Sequence, residues 1–249
     1  MVYIGKVIDK VIVWDMDETI GSFVSLSEPV NLLEELMGRQ PTPKEFRLLI
    51  DIFHEVLRPN IIEVLIYIKN QQDKNTKNVL YTNNNGPKWW CNGIVSYLDQ
   101  RIGCKVFDKV IRAWEVNGEL VEPKRTSYLK TYNDLVACLN VDEIKKICFI
   151  DDQDHPLHHD HRVTSYKIPE YNVYFTQDEI IERLMDSSFK KVFKTNRYQD
   201  NFDNIGIPSP RPSPSPYKKK HDDILFKMIK KFMKPNSPTK QTRRKARVK

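Results

Sequence analysis

The sequence predicts an α/β fold built on a central parallel sheet. Three short apolar runs carry that expectation: Val11-Ile12-Val13-Trp14, Val79-Leu80-Tyr81 and Ile147-Cys148-Phe149-Ile150. Runs of this length without polar alternation, separated by helical segments, read as strands covered on both faces. Each ends in polar residues: Asp15-Met16-Asp17-Glu18-Thr19, then Thr82-Asn83-Asn84-Asn85-Gly86, then Asp151-Asp152. Ligands of open parallel sheets bind beyond the carboxyl ends of the strands, so these groups should meet on one edge.

The elements between follow from local signals. Apolar spacing predicts a helix over 30–38 that stops at Gly38. Thr42-Pro43-Lys44-Glu45 is a capping box with proline in the first turn, opening a helix to about Arg58, before Pro59. Asn60 and Glu63 start a helix through Ile68, and Pro87 starts one carrying Trp89 and Trp90. Residues 106–111 suggest a strand. Trp114 to Val121 reads as a β-hairpin, because Asn117-Gly118 favours a tight primed turn. A helix should cover about 126–139, and Thr176 with Glu179 caps another to about 186. This alternation gives one sheet with right-handed crossovers, flanked by helices and carrying a small hairpin insertion.

Three segments are expected: a catalytic domain over 1–187, an irregular stretch with a Pro/Ser-rich linker over 188–216, and a basic tail over 217–249. Proline density at 205–216 excludes helix and sheet. Within the tail, about 222–233 is an amphipathic helix with Ile224, Leu225, Met228, Ile229, Phe232 and Met233 on one face. The tail holds thirteen Lys/Arg against two Asp, so residues 1–216 are at −4 although the whole chain is +7. The basic character therefore says nothing about the catalytic edge. The tail's expected partners are nucleic acid, an acidic partner groove or an anionic surface; the Arg/Lys cluster over 243–249 also suits a nuclear-entry signal. No apolar stretch approaches a membrane span. The four cysteines lack metal-ligand spacing and read as reduced thiols of an intracellular, nuclear or cytoplasmic protein.

Two carboxylates two residues apart at a strand end point the same way, and placing like charges together is costly unless a cation joins them. A calcium loop is disfavoured: its glycine is missing, and a strand precedes the acidic run. Asp-Met-Asp-Glu-Thr resembles the DxDxT signature of haloacid dehalogenase superfamily phosphatases, in the form of the FCP/SCP branch that acts on RNA polymerase II C-terminal repeats and other phosphoproteins. Leu57-Arg58-Pro59, Tyr81-Thr82, the stretch from Arg112 to Lys124, and Asp151-Asp152 are similar to that branch's further motifs, in order. The style of the chain also suits a copy from a large DNA virus or a protist.

The resemblance implies a Rossmann-like sheet and a magnesium-dependent phosphatase. Asp15 would be the nucleophile forming an aspartyl-phosphate. Asp17 would be general acid and then base, and would give a backbone carbonyl to the metal. Thr82 and Asn83 would hold the phosphoryl oxygens, with Lys124 offsetting their charge; Lys130 is the alternative to Lys124. Asp152 would complete the Mg2+ shell, with Asp151 pairing the lysine or standing behind it. Hard oxygen donors favour magnesium over zinc. His155, His158, His159 and His161 fit no standard zinc spacing and read as a polar substrate-side loop. Motif four departs from the branch pattern, and the hairpin is short where the branch carries its specificity insertion. The rival functions are a small-molecule or nucleic-acid-end phosphatase on the same fold, and a non-catalytic phosphoprotein- or polymerase-binding adaptor.

Overall fold

The structure, a computed structural model, describes residues 5–195 and 220–234. Its core is a five-stranded sheet of β1 (Val7–Trp14), β2 (Thr76–Tyr81), β3 (Lys109–Ile111), β6 (Glu143–Asp151) and β7 (Val163–Lys167) in the order β3-β2-β1-β6-β7. Every pairing is parallel. Trp14 stands opposite Leu80 on one side and Ile150 on the other, so the ends of the three anticipated strands lie level. The hairpin of β4 (Glu115–Val116) and β5 (Glu119–Leu120) forms as expected. Asn117 and Gly118 both adopt positive φ, 53° and 81°, as a primed turn requires.

Side chains of β1 alternate between two cores. Ile12 and Trp14 face the larger one, with α1 (Phe23–Met37), α2 (Pro43–Ile52), α3 (Ile61–Gln71) and α4 (Lys88–Ile102). Val11 and Val13 face a smaller one, closed by α5 (Tyr132–Leu139) and Leu157. Both expected capping boxes are present, at Thr42/Glu45 of α2 and Thr176/Glu179 of α6 (Gln177–Met185).

Several boundaries differ from the sequence expectation. Helix α1 begins at Phe23, with Pro29 inside it, rather than near residue 30. Helix α2 ends at Ile52 and gives way to a 3-10 turn over His54–Val56. The strand expected over 106–111 pairs only over Lys109–Ile111. Helix α5 starts at Tyr132 rather than 126, because Thr131 caps it by accepting from the Asp134 amide. Strand β7 adds a sheet edge that the apolar pattern did not mark.

The packing also runs past the expected boundary at 187. Phe189, and Phe193 of α7 (Lys190–Thr195), join the larger core. The amphipathic tail helix is present as α8 (Lys220–Met233), and Leu225, Ile229 and Met233 are buried in the same core. Phe226 packs edge-on against Tyr67 of α3. The apolar face read as open to partners thus lies against this domain. Lys10 of β1 donates to the carbonyls of Phe232 and Lys234 at the far end of α8, 2.9 and 2.7 Å away. The Pro/Ser-rich linker over 205–216 and the basic cluster over 243–249 lie outside the described residues. No described helix is long and apolar enough to cross a membrane.

Candidate active site

Asp15 leaves the end of β1 with its amide bonded to the Ile150 carbonyl, 2.9 Å away. The chain then turns back: the Ile20 amide reaches Met16 O at 2.9 Å and the Glu18 amide reaches Gly21 O at 2.8 Å. Glu18 takes a positive φ of 54°, and a Cβ on Gly21 would stand 2.5 Å from the Val56 carbonyl oxygen, so the loop fits only with glycine there. Arg58 clamps it from behind. Its Nε donates to Thr19 O (2.6 Å) and its Nη2 to Glu18 O (2.7 Å) and Pro169 O (2.8 Å).

The loop brings the carboxylates of the two strand ends together. Oxygens of Asp15, Asp151 and Asp152 lie within 4.8 Å of one another, and all three residues are buried. Thr19 Oγ1 donates to Asp152 at 3.1 Å, tying the loop after β1 to the end of β6. Lys130, itself buried, donates to Asp15 and, at 2.6 Å, to Asp151. Asp17 accepts from Asn84 Nδ2 at 2.9 Å through one oxygen, while its buried Oδ1 has no partner. These groups border a cavity of about 270 Å³ lined by Asp15, Asp17, Asn83, Lys130 and His155 among others.

Burial raises the Asp15 pKa; Lys130 acts against it, and Asp151 and Asp17 add to the rise. Burial also lifts Asp17 to about 6 against the Asn84 hydrogen bond, and raises Asp152, with Asp151 adding to it. Burial alone would lower the Lys130 pKa, but Asp15 and Asp151 outweigh it and hold the ammonium charged. His155 is pushed down to about 4, by burial first and then by Lys130, so it is a neutral ring.

The structure places Lys130, not Lys124, at the carboxylates. Lys124 is exposed and its Nζ lies 3.4 Å from Asn140 Oδ1. Residues 126–131 form no helix, and Lys130 is pinned by its carbonyl to the Leu157 amide (3.0 Å) and by its amide to His155 Nδ1 (3.4 Å). Thr82 is buried behind the cavity, its hydroxyl accepting from the Asn84 amide at 2.9 Å. The Asn83 side chain is engaged by its neighbours, donating to Tyr128 O and accepting from Arg125. Arg125 also donates to Thr82 O (3.0 Å) and Arg112 O (2.7 Å), fixing the loop after β2. Arg58, Asn84 and Arg125 had no assigned role in the sequence reading; the Leu57-Arg58-Pro59 motif and the charge beside Lys124 were the available signals. The histidines do not converge. His158 pairs with Gln153 O, while His159 and His161 lie near Asp154 and Asp160.

The donor set of Asp15, Asp151 and Asp152 is all carboxylate oxygen, which suits a hard divalent cation such as Mg2+. Among the described residues no other group of three or more ligand-type side chains converges in this way.

No family model matches the chain. No curated protein matches it either. Among solved structures it is similar, at low scores, to Legionella pneumophila effector Ceg4, with an N-terminal yeast Hog1p sequence, and to the HAD domain of effector protein Lem4 from the same organism. The first has 12% identity and a TM-score of 0.42, covering 75% of this chain and 98% of that one. The second has 16% identity and a TM-score of 0.43, covering 73% of this chain and 96% of that one. At those scores neither carries a functional argument, and the chemistry rests on the site itself.

Proposed function

We propose that the protein is a magnesium-dependent phosphomonoesterase of the haloacid dehalogenase type, with phosphoserine or phosphothreonine proteins, such as polymerase C-terminal repeats, as its substrate class. The observation that carries this reading is the meeting of Asp15 and Asp17 with Asp151, Asp152 and Lys130 at one strand edge.

Asp15 attacks phosphorus and takes the phosphoryl group as an acyl phosphate. Lys130 holds that carboxylate in line and offsets the charge that gathers on the phosphoryl oxygens. Asp17 protonates the departing ester oxygen. With its pKa at about 6, an appreciable share of it is protonated near neutrality. Asn84 occupies one Asp17 oxygen and leaves Oδ1 to carry the proton. The deprotonated Asp17 then draws a proton from the water that cleaves the acyl phosphate. Asp15, Asp151 and Asp152 are the residues that would hold a divalent ion, which would supply Lewis-acid neutralisation of the phosphate dianion.

The test is turnover of p-nitrophenyl phosphate with magnesium. Asp15→Asn should reduce kcat by at least about a thousandfold, as expected for loss of a nucleophile. Equal turnover by wild type and Asp15→Asn would end this reading. A panel of phosphopeptides against phosphorylated metabolites then separates the protein-directed enzyme from the small-molecule one.

A further inference from the structure

A second cavity, of about 290 Å³, opens between α1 and the first turn of α4. Phe23, Val24, Val30, Trp89 and Trp90 give it apolar and aromatic walls. It shares Asp17, Val24, Asn84 and Asn85 with the carboxylate cavity, so the two form one groove that passes Asp17. A phosphoryl group held at Asp15 puts its ester oxygen at Asp17. Whatever is bonded to that oxygen has the second cavity before it.

Three buried polar atoms without a hydrogen-bond partner belong to residues lining this cavity: Asp17 Oδ1, Glu34 Oε1 and Trp89 Nε1. The first belongs to the catalytic carboxylate already described. The other two are not used by the chemistry, and unpaired buried polar atoms are costly to keep. No lysine or arginine is among the lining residues, and burial by itself raises the Glu34 pKa. Glu34 lies eleven residues after Phe23 on α1, roughly 16 Å along the helix. A serine or threonine side chain seated at Asp17 ends far short of it.

We propose that this cavity is the subsite for a basic side chain, an arginine or lysine adjoining the phosphorylated residue of a peptide substrate. The cationic head meets the Glu34 carboxylate. The stem lies along Phe23 and Val30, and a guanidinium or ammonium near the Trp89 and Trp90 rings gains cation–π attraction. A substrate peptide carbonyl accepts from Trp89 Nε1. This inference rests on the phosphomonoesterase reading above.

The experiment uses the full chain with magnesium and phosphopeptides that differ only in the residues flanking the phosphorylated one: arginine, alanine or glutamate. The arginine peptide should exceed the alanine peptide by about tenfold in kcat/KM. Glu34→Gln should bring that ratio to about one, and Glu34→Lys should favour the glutamate peptide. Equal kcat/KM across the series with wild type overturns the subsite and leaves the phosphatase reading standing. If neither the peptides nor p-nitrophenyl phosphate turn over, the phosphatase reading fails instead. The subsite is then decided by binding, through the tryptophan fluorescence change on titrating each peptide. Tighter binding of the arginine peptide upholds it, and equal binding overturns it.

Discussion

Two buried cations hold the loop after β1 from opposite sides, and they do so in different ways. Lys130 is 1% exposed and faces two carboxylates, Asp15 and Asp151. Arg58 is 2% exposed and spends its fork on the carbonyls of Glu18, Thr19 and Pro169, with one carboxylate, Asp222 of α8, 3.7 Å away. That last distance is an ion pair but too long for a hydrogen bond, and both Asp222 oxygens are otherwise unpartnered. A lysine offers a compact charge, and an arginine a rigid set of donors. The difference teaches that the site separates two tasks: Lys130 balances charge, and Arg58 fixes backbone.

The comparison breaks most sharply at Lys130. Lys130→Met leaves Asp15 and Asp151 without their cation. It should cost about 3–5 kcal/mol of stability, read by denaturant unfolding. Turnover of p-nitrophenyl phosphate should fall by at least about a hundredfold. Unchanged turnover would remove Lys130 from the chemistry.

Arg58→Lys comes next. The charge survives and the fork does not, so two of three carbonyls lose their donor. The expected loss is about 2 kcal/mol, with kcat reduced by about tenfold as the loop loosens. A fall as deep as that of Lys130→Met would mean that Arg58 acts on charge after all.

Asp222→Asn gives a smaller effect of opposite sign. Burial lifts the Asp222 pKa to about 6, against the pull of Arg58. The folded protein therefore holds this proton at pH values where the unfolded chain, near 3.8, has released it. Stability falls as pH rises from about 4 to about 6, and above that the penalty of the buried carboxylate is fully present. Asparagine removes the penalty. The variant should be more stable by about 1–2 kcal/mol at pH 7, allowing for partial solvent screening, and no more stable at pH 4. Thermal melts at the two pH values decide it.

The smallest change is an exposed reference. Thr42→Ala removes the α2 cap, where Glu45 returns the bond and pairs with Arg39 at 2.9 Å. It should cost roughly 0.5–1 kcal/mol and leave turnover unaltered. A larger loss would blur the contrast between buried and surface charges.

What the sequence disclosed follows from periodicity and local chemistry. Apolar runs marked three of the five sheet strands, and a fourth was expected over 106–111, where Lys109–Ile111 pairs. The ends of those runs alone put Asp15, Asp17, Asp151 and Asp152 on one edge. Capping boxes and the Asn117-Gly118 turn are decided within four residues, and they formed as read. Lys130 was harder to tell from Lys124 because residues 126–131 read as the start of a helix that begins only at Tyr132; its place is set by Leu157 and His155, far along the chain. Pro29 masked the first turns of α1, since proline reads as a helix boundary. The amphipathic pattern of α8 declared an apolar face, but nothing in that pattern names what the face covers. No local pattern singles out Glu34 or Trp89; only the fold puts both in one groove with Asp17.

The clasp of Lys10 and Arg58 on the two ends of α8 has a practical side. The proline-rich stretch after residue 195 invites trimming there to simplify purification or crystal growth. Such a shortened protein would lose Leu225, Ile229 and Met233 from its interior and bare Tyr67 to water. Sluggish catalysis or clumping in that preparation would then reflect a missing piece of the domain rather than a weak enzyme.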